Sequence, residues 1–473
     1  MNPIKTEIVV VGAGAGGYAA AFYAADLGQK VILVERDKRL GGVCLNRGCI
    51  PSKALLHAAH TIAAARESEH RGITFAAPSI DVAKLRSWKE SILAKLSGGI
   101  VQLAKLRGVE VLNGRGYFED SRTLRVETEQ GQRFIAYDHA IIAVGSKSAM
   151  PKAFDLGNPR VMTSREALEV EDIPENLLVV GGGYIGMELG TVYATLGSKV
   201  VLVEALETIL TGADPDLVRP VMAYARKAFK EVRLKTKVGK MATSGKQIKV
   251  SFEKDGQEKA ELYDRVLVAV GRTPNSGDLG LENTKVSLDE KGFIKVNEHQ
   301  QTTDPAIYAI GDIAGGVLLA HKATKEGRVA VEVISGEESS AAGVTIPAVV
   351  FTDPEVAWCG LTEAEAQERG IEVQVSKFPW AASGRAITFD RPEGLTKLII
   401  EPETERILGV GIVGPGAGEL ISEGVLAVEM GATAKDLALT VHPHPTLTET
   451  LMEAAEAFYG HATHIMVKKR ADD

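Results

Sequence analysis

A stretch of 28 residues occurs twice in this chain, and the duplication constrains the fold more than any other feature. Residues 8–35 read IVVVGAGAGGYAAAFYAADLGQKVILVE, and residues 177–204 read LLVVGGGYIGMELGTVYATLGSKVVLVE. The copies align without a gap at an offset of 169 positions, with 13 identities. Each copy predicts a buried strand, a glycine-rich turn, a helix and a second strand ending in glutamate. The chain is therefore expected to contain two Rossmann-like βαβ units.

Both copies carry the G-x-G-x-x-G pattern of a dinucleotide-binding loop. The first glycine allows a tight turn, the second lets the backbone approach a pyrophosphate, and the third allows close helix–strand packing. The terminal acid would accept hydrogen bonds from a ribose diol. A copy kept only for its structure is the alternative, but the terminal acid in both argues against it. The residues are Gly12, Gly14, Gly17 and Glu35 in the first copy and Gly181, Gly183, Gly186 and Glu204 in the second.

The second copy favours NAD over NADP. Glu204 would repel a 2′-phosphate, and the three residues that follow it, Ala-Leu-Glu, supply no arginine to bind one. Two dinucleotide sites in one chain suggest that electrons pass between two dinucleotides.

Composition excludes several classes of protein. The net charge is −8, and the longest basic run is Lys468–Arg470, which argues against nucleic acid and anionic membranes as partners. An uninterrupted apolar run of about 18 residues, which a membrane span needs, does not occur in the sequence. The first residues resemble neither a signal peptide nor a transit peptide, so the cytoplasm is the expected location.

Two of the three cysteines, Cys44 and Cys49, lie five residues apart, directly after the first nucleotide unit. Three interpretations are open. They could be buried apolar side chains, or they could bind zinc with His57 and His60, although this spacing departs from usual zinc patterns. They could also form a redox-active pair, which requires an irregular backbone between them because a helix would separate the side chains. Redox activity is favoured for a close cysteine pair in a cytosolic protein.

A histidine near the C-terminus could act as a general base. His444, in the sequence HPHPTLTET, precedes Glu449 by five residues, and a carboxylate could orient its ring. The neighbouring His442 has no evident partner and is interpreted as a loop or surface residue. An acid in a Gly-Asp turn, Asp312, could bind a ribityl hydroxyl group or cap a helix.

The rest of the chain predicts helices at 57–69 and 82–107 and short strands within 118–142. From about Thr345 the pattern changes to strands and two helices, which is typical of an α+β interface domain.

These motifs together resemble the pyridine nucleotide–disulfide oxidoreductase family. The resemblance covers essentially the whole chain in the family's order, through CLNRGCIPSKALL, GGGYIGMELG, YAIGDIAGG and HPTLTE. It implies an FAD domain at 1–147, an NAD domain at 148–272, a second part of the FAD domain at 273–344 and a dimerisation domain at 345–473.

The resemblance also implies roles for individual residues. Cys44 would be the interchange thiol and Cys49 the thiolate beside the flavin, while His444 and Glu449 would serve the cysteines of the other subunit of a homodimer. Lys53 would pair with Glu188 near the flavin. FAD would be held by Gly12, Gly14, Gly17, Glu35, Lys53, Gly116, Asp312 and Ala320, and NAD by Gly181, Gly182, Gly183, Tyr184, Ile185, Gly186, Glu204, Val238 and Gly271.

Within the family, the chain is most similar to the branch that oxidises dihydrolipoyl groups with NAD⁺ and uses no metal. Its implied partners are the lipoyl domains and acyltransferase core of a 2-oxo acid dehydrogenase complex, or the lipoylated carrier of glycine cleavage. The alternatives are a member that reduces glutathione disulfide or mercuric ion with NADPH, and a non-catalytic interaction protein. One departure is Arg47, where valine is more usual; it could lower a thiolate pKa or extend into solvent.

Overall fold

The duplicated sequence forms the inner strands of two sheets in the computed structural model, which describes residues 3–467. The basic run Lys468–Arg470 lies outside these residues. The elements of the first unit are β1 Ile4–Val11, α1 Ala15–Asp26, β2 Val31–Glu35, α2 Gly42–Arg47, α3 Cys49–Glu67, α4 Val82–Leu106, β3 Glu110–Asn113, β4 Arg115–Asp120, β5 Thr123–Thr128 and β6 Gly131–Ile142.

The second unit repeats this plan. Its elements are β7 Ser146–Ser148, β8 Val161–Met162, α5 Ser164–Ala167, β9 Asn176–Val180, α6 Tyr184–Leu196, β10 Lys199–Val203, α7 Pro215–Ala228, β11 Glu231–Arg233, β12 Lys237–Ser244, β13 Gln247–Lys254, β14 Gln257–Tyr263, β15 Arg265–Val268 and β16 Arg272–Pro274. The chain then returns to the first sheet through β17 Ile307–Ala309, followed by α8 Ala320–Ile334.

Strand order shows that the duplication extends beyond the 28 residues visible in the sequence. The first sheet has the order β3-β2-β1-β6, continued by antiparallel β5 and β4, with β17 also paired to β6. The second has the order β11-β10-β9-β15-β8 and is parallel throughout. The inner strands are buried on both faces, which explains their continuous Val, Ile and Leu content. In the second sheet, helices α6 and α7 cover one face and the antiparallel sheet β12-β13-β14 covers the other.

The C-terminal region forms a separate antiparallel sheet with the order β18-β19-β22-β21-β20. Its elements are β18 Ala348–Val350, β19 Val356–Gly360, α9 Glu363–Arg369, β20 Gln374–Pro379, α10 Gly384–Thr388, β21 Leu395–Ile400, β22 Ile407–Val413, α11 Ala417–Glu429, α12 Ala434–Leu439 and α13 Glu449–Phe458. Four 3₁₀ turns complete the described chain, at Glu69–Arg71, Leu281–Asn283, Gly311–Ala314 and Trp380–Ala382.

The predicted fold class, two Rossmann-like units followed by an α+β domain, is confirmed, while two details are wrong. Five helices, not two, occur between residues 345 and 467, because three of them have only five to seven residues and show no clear periodicity. The helix predicted from residue 57 begins earlier, at Cys49. Pro51 does not prevent this, because it lies in the first turn of the helix, where proline is tolerated. The domain boundaries stay predictions. Over residues 3–467, no helix has the length and apolarity needed to cross a bilayer.

Candidate active site

The two glycine-rich loops have the same backbone geometry. Gly12 and Gly181 have φ values of +101° and +108°, and a Cβ atom there would lie 2.5 and 2.3 Å from a backbone oxygen of the adjacent chain segment. A Cβ atom at Gly17 or Gly186 would lie 1.8 or 2.0 Å from a carbonyl oxygen of its own loop. Each of these four positions therefore requires glycine.

The second glycine of each loop faces open space. A Cβ atom at Gly183 would meet no atom within 4 Å, and one at Gly14 would have its nearest neighbour at 3.9 Å. Helices α1 and α6 begin at these glycines with no side-chain cap and no acid in the first turn. Their free N–H groups and helix dipoles are therefore suited to a pyrophosphate.

The terminal acids of the two copies are held in the same way. Glu35 accepts hydrogen bonds from the N–H groups of Ala13 (2.7 Å) and Asp37 (2.9 Å). Glu204 accepts them from Gly182 (2.7 Å) and from the residue two positions beyond itself (2.8 Å). Burial raises the pKa of Glu35, and its backbone hydrogen bonds oppose this rise. Both carboxylates are thus fixed at the strand end beside their loops.

A cavity of about 590 Å³ runs along the first loop to the two cysteines. Thirteen of the predicted site residues line it: Gly12, Gly14, Gly17, Glu35, Cys44, Cys49, Lys53, Gly116, Tyr184, Ile185, Glu188, Asp312 and Ala320. The other residues predicted for NAD lie outside its lining, along the second loop and the strands beyond it. Among the described residues of the lining, neither His444 nor Glu449 occurs.

Cys44 and Cys49 are free thiols close enough for each to shift the pKa of the other. Helix α2 ends at Arg47 and α3 begins at Cys49, so the backbone breaks at Gly48 and brings the two side chains together. The hydrogen bond with Cys49, aided by burial, raises the pKa of Cys44. The Cys44 hydrogen bond lowers the pKa of Cys49 to about 7; burial opposes this shift and the Lys53 charge supports it. Cys49 is therefore the thiol that ionises first.

Lys53 and Glu188 form an ion pair beneath the cysteines. The Lys53 Nζ atom lies 2.9 and 2.8 Å from the two Glu188 carboxylate oxygens. Glu188 also accepts a hydrogen bond from the N–H of Phe351 (3.1 Å), whose ring lies 4.5 Å from Lys53 Nζ. The Glu188 side chain is 4% exposed and that of Lys53 31% exposed. This burial argues against an ordinary surface ion pair.

Sequence reasoning missed two polar residues beside Asp312. Ser146 donates a hydrogen bond to the Asp312 carboxylate and accepts one from Arg272 Nε (2.7 Å). Arg272 Nε also lies 3.5 Å from Asp312. Both missed residues line the cavity and follow the glycines at which a strand exits each nucleotide unit, Gly145 and Gly271. The polar residue directly after each of these two glycines is the sequence feature from which both could have been predicted.

His444 and Glu449 lie in the C-terminal region, where His444 Nδ1 is 2.9 Å from Glu449 Oε1. The His444 side chain is 75% exposed. Burial opposes ionisation of Glu449, but the Thr446 N–H and His444 hold its pKa below the usual range. The carboxylate accepts a hydrogen bond from Nδ1, and the ring of His444 is otherwise exposed.

His442 lies in a loop, as predicted, but its side chain is not on the surface, and it has two partners that the sequence did not indicate. Its ring nitrogens lie 2.7 Å from Glu423 Oε1 and 2.8 Å from the Thr440 carbonyl oxygen. The side chain is 4% exposed. Glu423 lies 19 positions before His442 and could not be identified as a partner from the local sequence.

The remaining predicted residues have the following places. Gly116 lies on β4, Ala320 begins α8, and Tyr184, which is 40% exposed, begins α6 beside Ile185. Val238 is half-buried on β12, and Gly271 (φ +125°) precedes β16. Arg47 forms an ion pair with Asp37 and is 20% exposed, so the alternative in which it extends freely into solvent is wrong.

The zinc alternative finds no support. Within residues 3–467, one group of His, Cys, Asp or Glu side chains has ligand atoms that converge within 4.8 Å, and it consists of Asp214, Asp216 and Glu363. The ammonium of Lys397 lies between these three carboxylates, at 2.6, 2.9 and 2.5 Å. This cluster is therefore charge-paired with a buried lysine.

Comparison with known proteins agrees with the geometry. Residues 6–327 match the family model described as pyridine nucleotide-disulphide oxidoreductase, and residues 346–455 match its dimerisation domain, which supports a homodimer. Dihydrolipoyl dehydrogenases of Vibrio cholerae, Vibrio parahaemolyticus and Staphylococcus aureus are 46%, 47% and 44% identical to the chain. These alignments cover 98% of this chain and 97–99% of each relative.

Two solved structures have the same fold. LpdA of Mycobacterium tuberculosis superposes with a TM-score of 0.89 at 26% identity, covering 96% of this chain and 99% of that one. The HOCl-induced flavoprotein disulfide reductase RclA of Escherichia coli gives a TM-score of 0.84 at 26% identity, covering 95% of this chain and 99% of that one.

Proposed function

Because the chain belongs to the pyridine nucleotide-disulphide oxidoreductase family, we propose that it oxidises protein-bound dihydrolipoyl groups and reduces NAD⁺. Its curated relatives at 44–47% identity are dihydrolipoyl dehydrogenases over nearly their full length. The observation that carries the proposal is that the thiols of Cys44 and Cys49 lie together in the cavity lined by the first dinucleotide loop.

The residues present fit FAD and NAD. The backbone at Gly14 and Gly183 leaves room for a pyrophosphate, and Glu35 and Glu204 are fixed where each ribose would lie. Gly116, Asp312 and Ala320 line the cavity that would hold FAD, with Lys53 at its cysteine end. When bound, FAD would supply the redox chemistry that links the reduced cysteine pair to NAD⁺. The contribution of this chain is to bind, orient and exchange protons and thiols.

Thiol exchange at the cysteine pair follows from the geometry. In the oxidised protein, Cys44 and Cys49 form a disulfide. His444 of a second copy takes a proton from the substrate dithiol, and the resulting thiolate attacks Cys44, releasing Cys49 as a thiolate. The second substrate thiol then displaces Cys44, which leaves a lipoyl disulfide and the reduced cysteine pair. The low pKa of Cys49, about 7, makes it the better leaving group.

A second subunit is part of this mechanism because, among the described residues, the cavity lining contains no histidine that could act as the base. In the homodimer, His444 and Glu449 are proposed to serve the cysteines of the other chain. Proposed partners are the lipoyl domains and acyltransferase core of a 2-oxo acid dehydrogenase complex, or the lipoylated carrier of glycine cleavage. The cytoplasmic location stays a prediction.

The proposal is tested by measuring NADH formation from dihydrolipoamide and NAD⁺ with purified protein. We expect turnover with NAD⁺, much weaker turnover with NADP⁺, and none in Cys44→Ser. NADH oxidation by an artificial electron acceptor should persist in Cys44→Ser, because that reaction bypasses thiol exchange. Full dihydrolipoamide turnover by Cys44→Ser, or a preference for NADPH and glutathione disulfide in the wild type, would refute the proposal.

A further inference from the structure

A buried histidine stands two residues before His444 and has no part in the mechanism above. His442 Nε2 lies 2.7 Å from Glu423 Oε1, and Nδ1 lies 2.8 Å from the Thr440 carbonyl oxygen. Its side chain is 4% exposed, whereas that of His444 is 75% exposed. The loop therefore contains one histidine that is enclosed by protein and another that is presented outward.

Both partners of His442 are hydrogen-bond acceptors. A carbonyl oxygen cannot donate a proton, and a carboxylate accepts at both oxygens. The ring can donate to both acceptors at once only when both of its nitrogens carry protons. A neutral ring would lose one of the two hydrogen bonds.

The two partners connect the loop to rigid elements. Glu423 lies on α11, whose Gly424 is so close to β22 that a Cβ atom there would lie 2.9 Å from Val410. Thr440 ends α12, where its N–H and hydroxyl both donate to the Asp436 carbonyl oxygen (3.1 and 2.7 Å). His442 thus joins α11 to the end of α12 at the point where the loop begins.

The other end of the loop is fixed by the second histidine–carboxylate pair. Glu449, the first residue of α13, binds His444 Nδ1 (2.9 Å) and the Thr446 N–H (2.7 Å). That pair sets the orientation of the His444 ring, but it does not fix the position of the loop that carries His444. We propose that the His442–Glu423 pair is a positioning clamp that fixes the loop start and so holds His444 at the distance at which it can take the substrate proton.

This inference rests on the proposed function, since it assigns His442 a role in that reaction. His442→Leu removes both hydrogen bonds and fills the enclosed position with an apolar side chain. Glu423→Gln is the conservative variant, because its amide can donate to Nε2 of a neutral ring while Nδ1–H still bonds Thr440. His299→Leu is the matched control, since His299 Nδ1 binds a backbone carbonyl oxygen (2.6 Å) and Nε2 lies 3.6 Å from Glu298 in a different region.

Steady-state kcat and KM for dihydrolipoamide are measured in the full-length dimer, alongside NADH oxidation by an artificial acceptor. His442→Leu should lower kcat for dihydrolipoamide about 10- to 100-fold, because small displacements of a reacting group are costly. Its NADH–acceptor activity and dimerisation should be unchanged. Glu423→Gln should retain most of the dihydrolipoamide kcat, and His299→Leu all of it.

Distinct results separate the possible failures. A wild type that does not turn over dihydrolipoamide refutes the proposed function itself. An active wild type with an equally active His442→Leu overturns the clamp alone. A His442→Leu variant that loses both activities together also overturns the clamp, because the effect would then be general unfolding. A Glu423→Gln variant as impaired as His442→Leu overturns it too, because the effect would then depend on charge rather than on position.

Discussion

Two neighbouring charges should shift the pKa of Cys49 in opposite directions. The Cys44 hydrogen bond is the largest influence that lowers this pKa; the Lys53 charge lowers it further, and the Glu188 charge raises it. Lys53→Met should therefore raise the pKa of Cys49, and Glu188→Gln should lower it. The prediction tests whether the ion pair beneath the cysteines controls the thiolate or only supports the fold.

The magnitude follows from the geometry of the site. A neighbouring opposite charge shifts a pKa by about 1–3 units, and the 31% exposure of Lys53 places its effect near the lower limit, at about one unit. From a pKa of about 7, Lys53→Met would reduce the thiolate fraction at neutral pH from about one half to about one tenth. Alkylation of Cys49 would then be about fivefold slower. Glu188→Gln would make it nearly twofold faster, because about nine tenths would be ionised.

The assay is the rate of alkylation by iodoacetamide across a pH series, in reduced protein. Cys49→Ser should abolish the fast phase and so identify it, since Cys44 has a raised pKa and Cys359 is buried. Lys147→Met is the matched control, because Lys147 lines the same cavity but is not among the main influences on Cys49. Superimposable profiles for Lys53→Met and wild type, or shifts of both ion-pair variants in one direction, would refute the electrostatic argument.

Three further predictions concern the nucleotide specificity and the stability of the fold. Glu204→Arg should raise kcat/KM for NADPH relative to NADH, because a guanidinium would replace a carboxylate that repels the 2′-phosphate; an unchanged ratio would contradict the assignment of the second site. Lys397→Met should lower the calorimetric unfolding temperature more than Lys377→Met, since Lys397 is 1% exposed against 40% and removing a buried ion-pair partner costs about 3–5 kcal/mol; equal shifts would count against this. Gly186→Ala should destabilise the fold, because its Cβ atom would lie 2.0 Å from a carbonyl oxygen, whereas Gly183→Ala should leave the unfolding temperature unchanged; the reverse order would contradict the loop geometry.

The sequence was sufficient for features that depend on local chemistry. The glycine spacing and the terminal acids of the repeat predicted both nucleotide loops, because backbone conformation there permits few residue types. The His444–Glu449 contact also followed from residues five positions apart. Contacts between distant segments were less accessible. His442 and Glu423 are 19 positions apart in the sequence, and Ser146 and Asp312 are 166 positions apart. Neither hydrogen-bonded pair can be recognised from a local sequence pattern.

The structure explains why the two copies of the repeat diverged where they did. Helix α1 packs closely on α8, where a Cβ atom at Gly16 would lie 2.7 Å from the Ala323 carbonyl oxygen, so this helix tolerates only small residues on that face. Helix α6 instead lies against α3, the helix that begins at Cys49, and contacts it through the Lys53–Glu188 pair.

The divergence therefore follows the packing partner of each helix. Glu188 corresponds to Ala19 in the first copy, and Tyr184 to Ala15, so the second copy has polar and aromatic side chains at positions that line the cavity with the cysteines. Both βαβ units have the geometry of a dinucleotide-binding loop, but the helix of the second unit also contributes the side chains of Glu188 and Tyr184 beside the two cysteines. Glu188→Ala would give the second copy the residue of the first copy. On this argument it should lower the pKa of Cys49, as Glu188→Gln does, while leaving the glycine loop of the second unit intact.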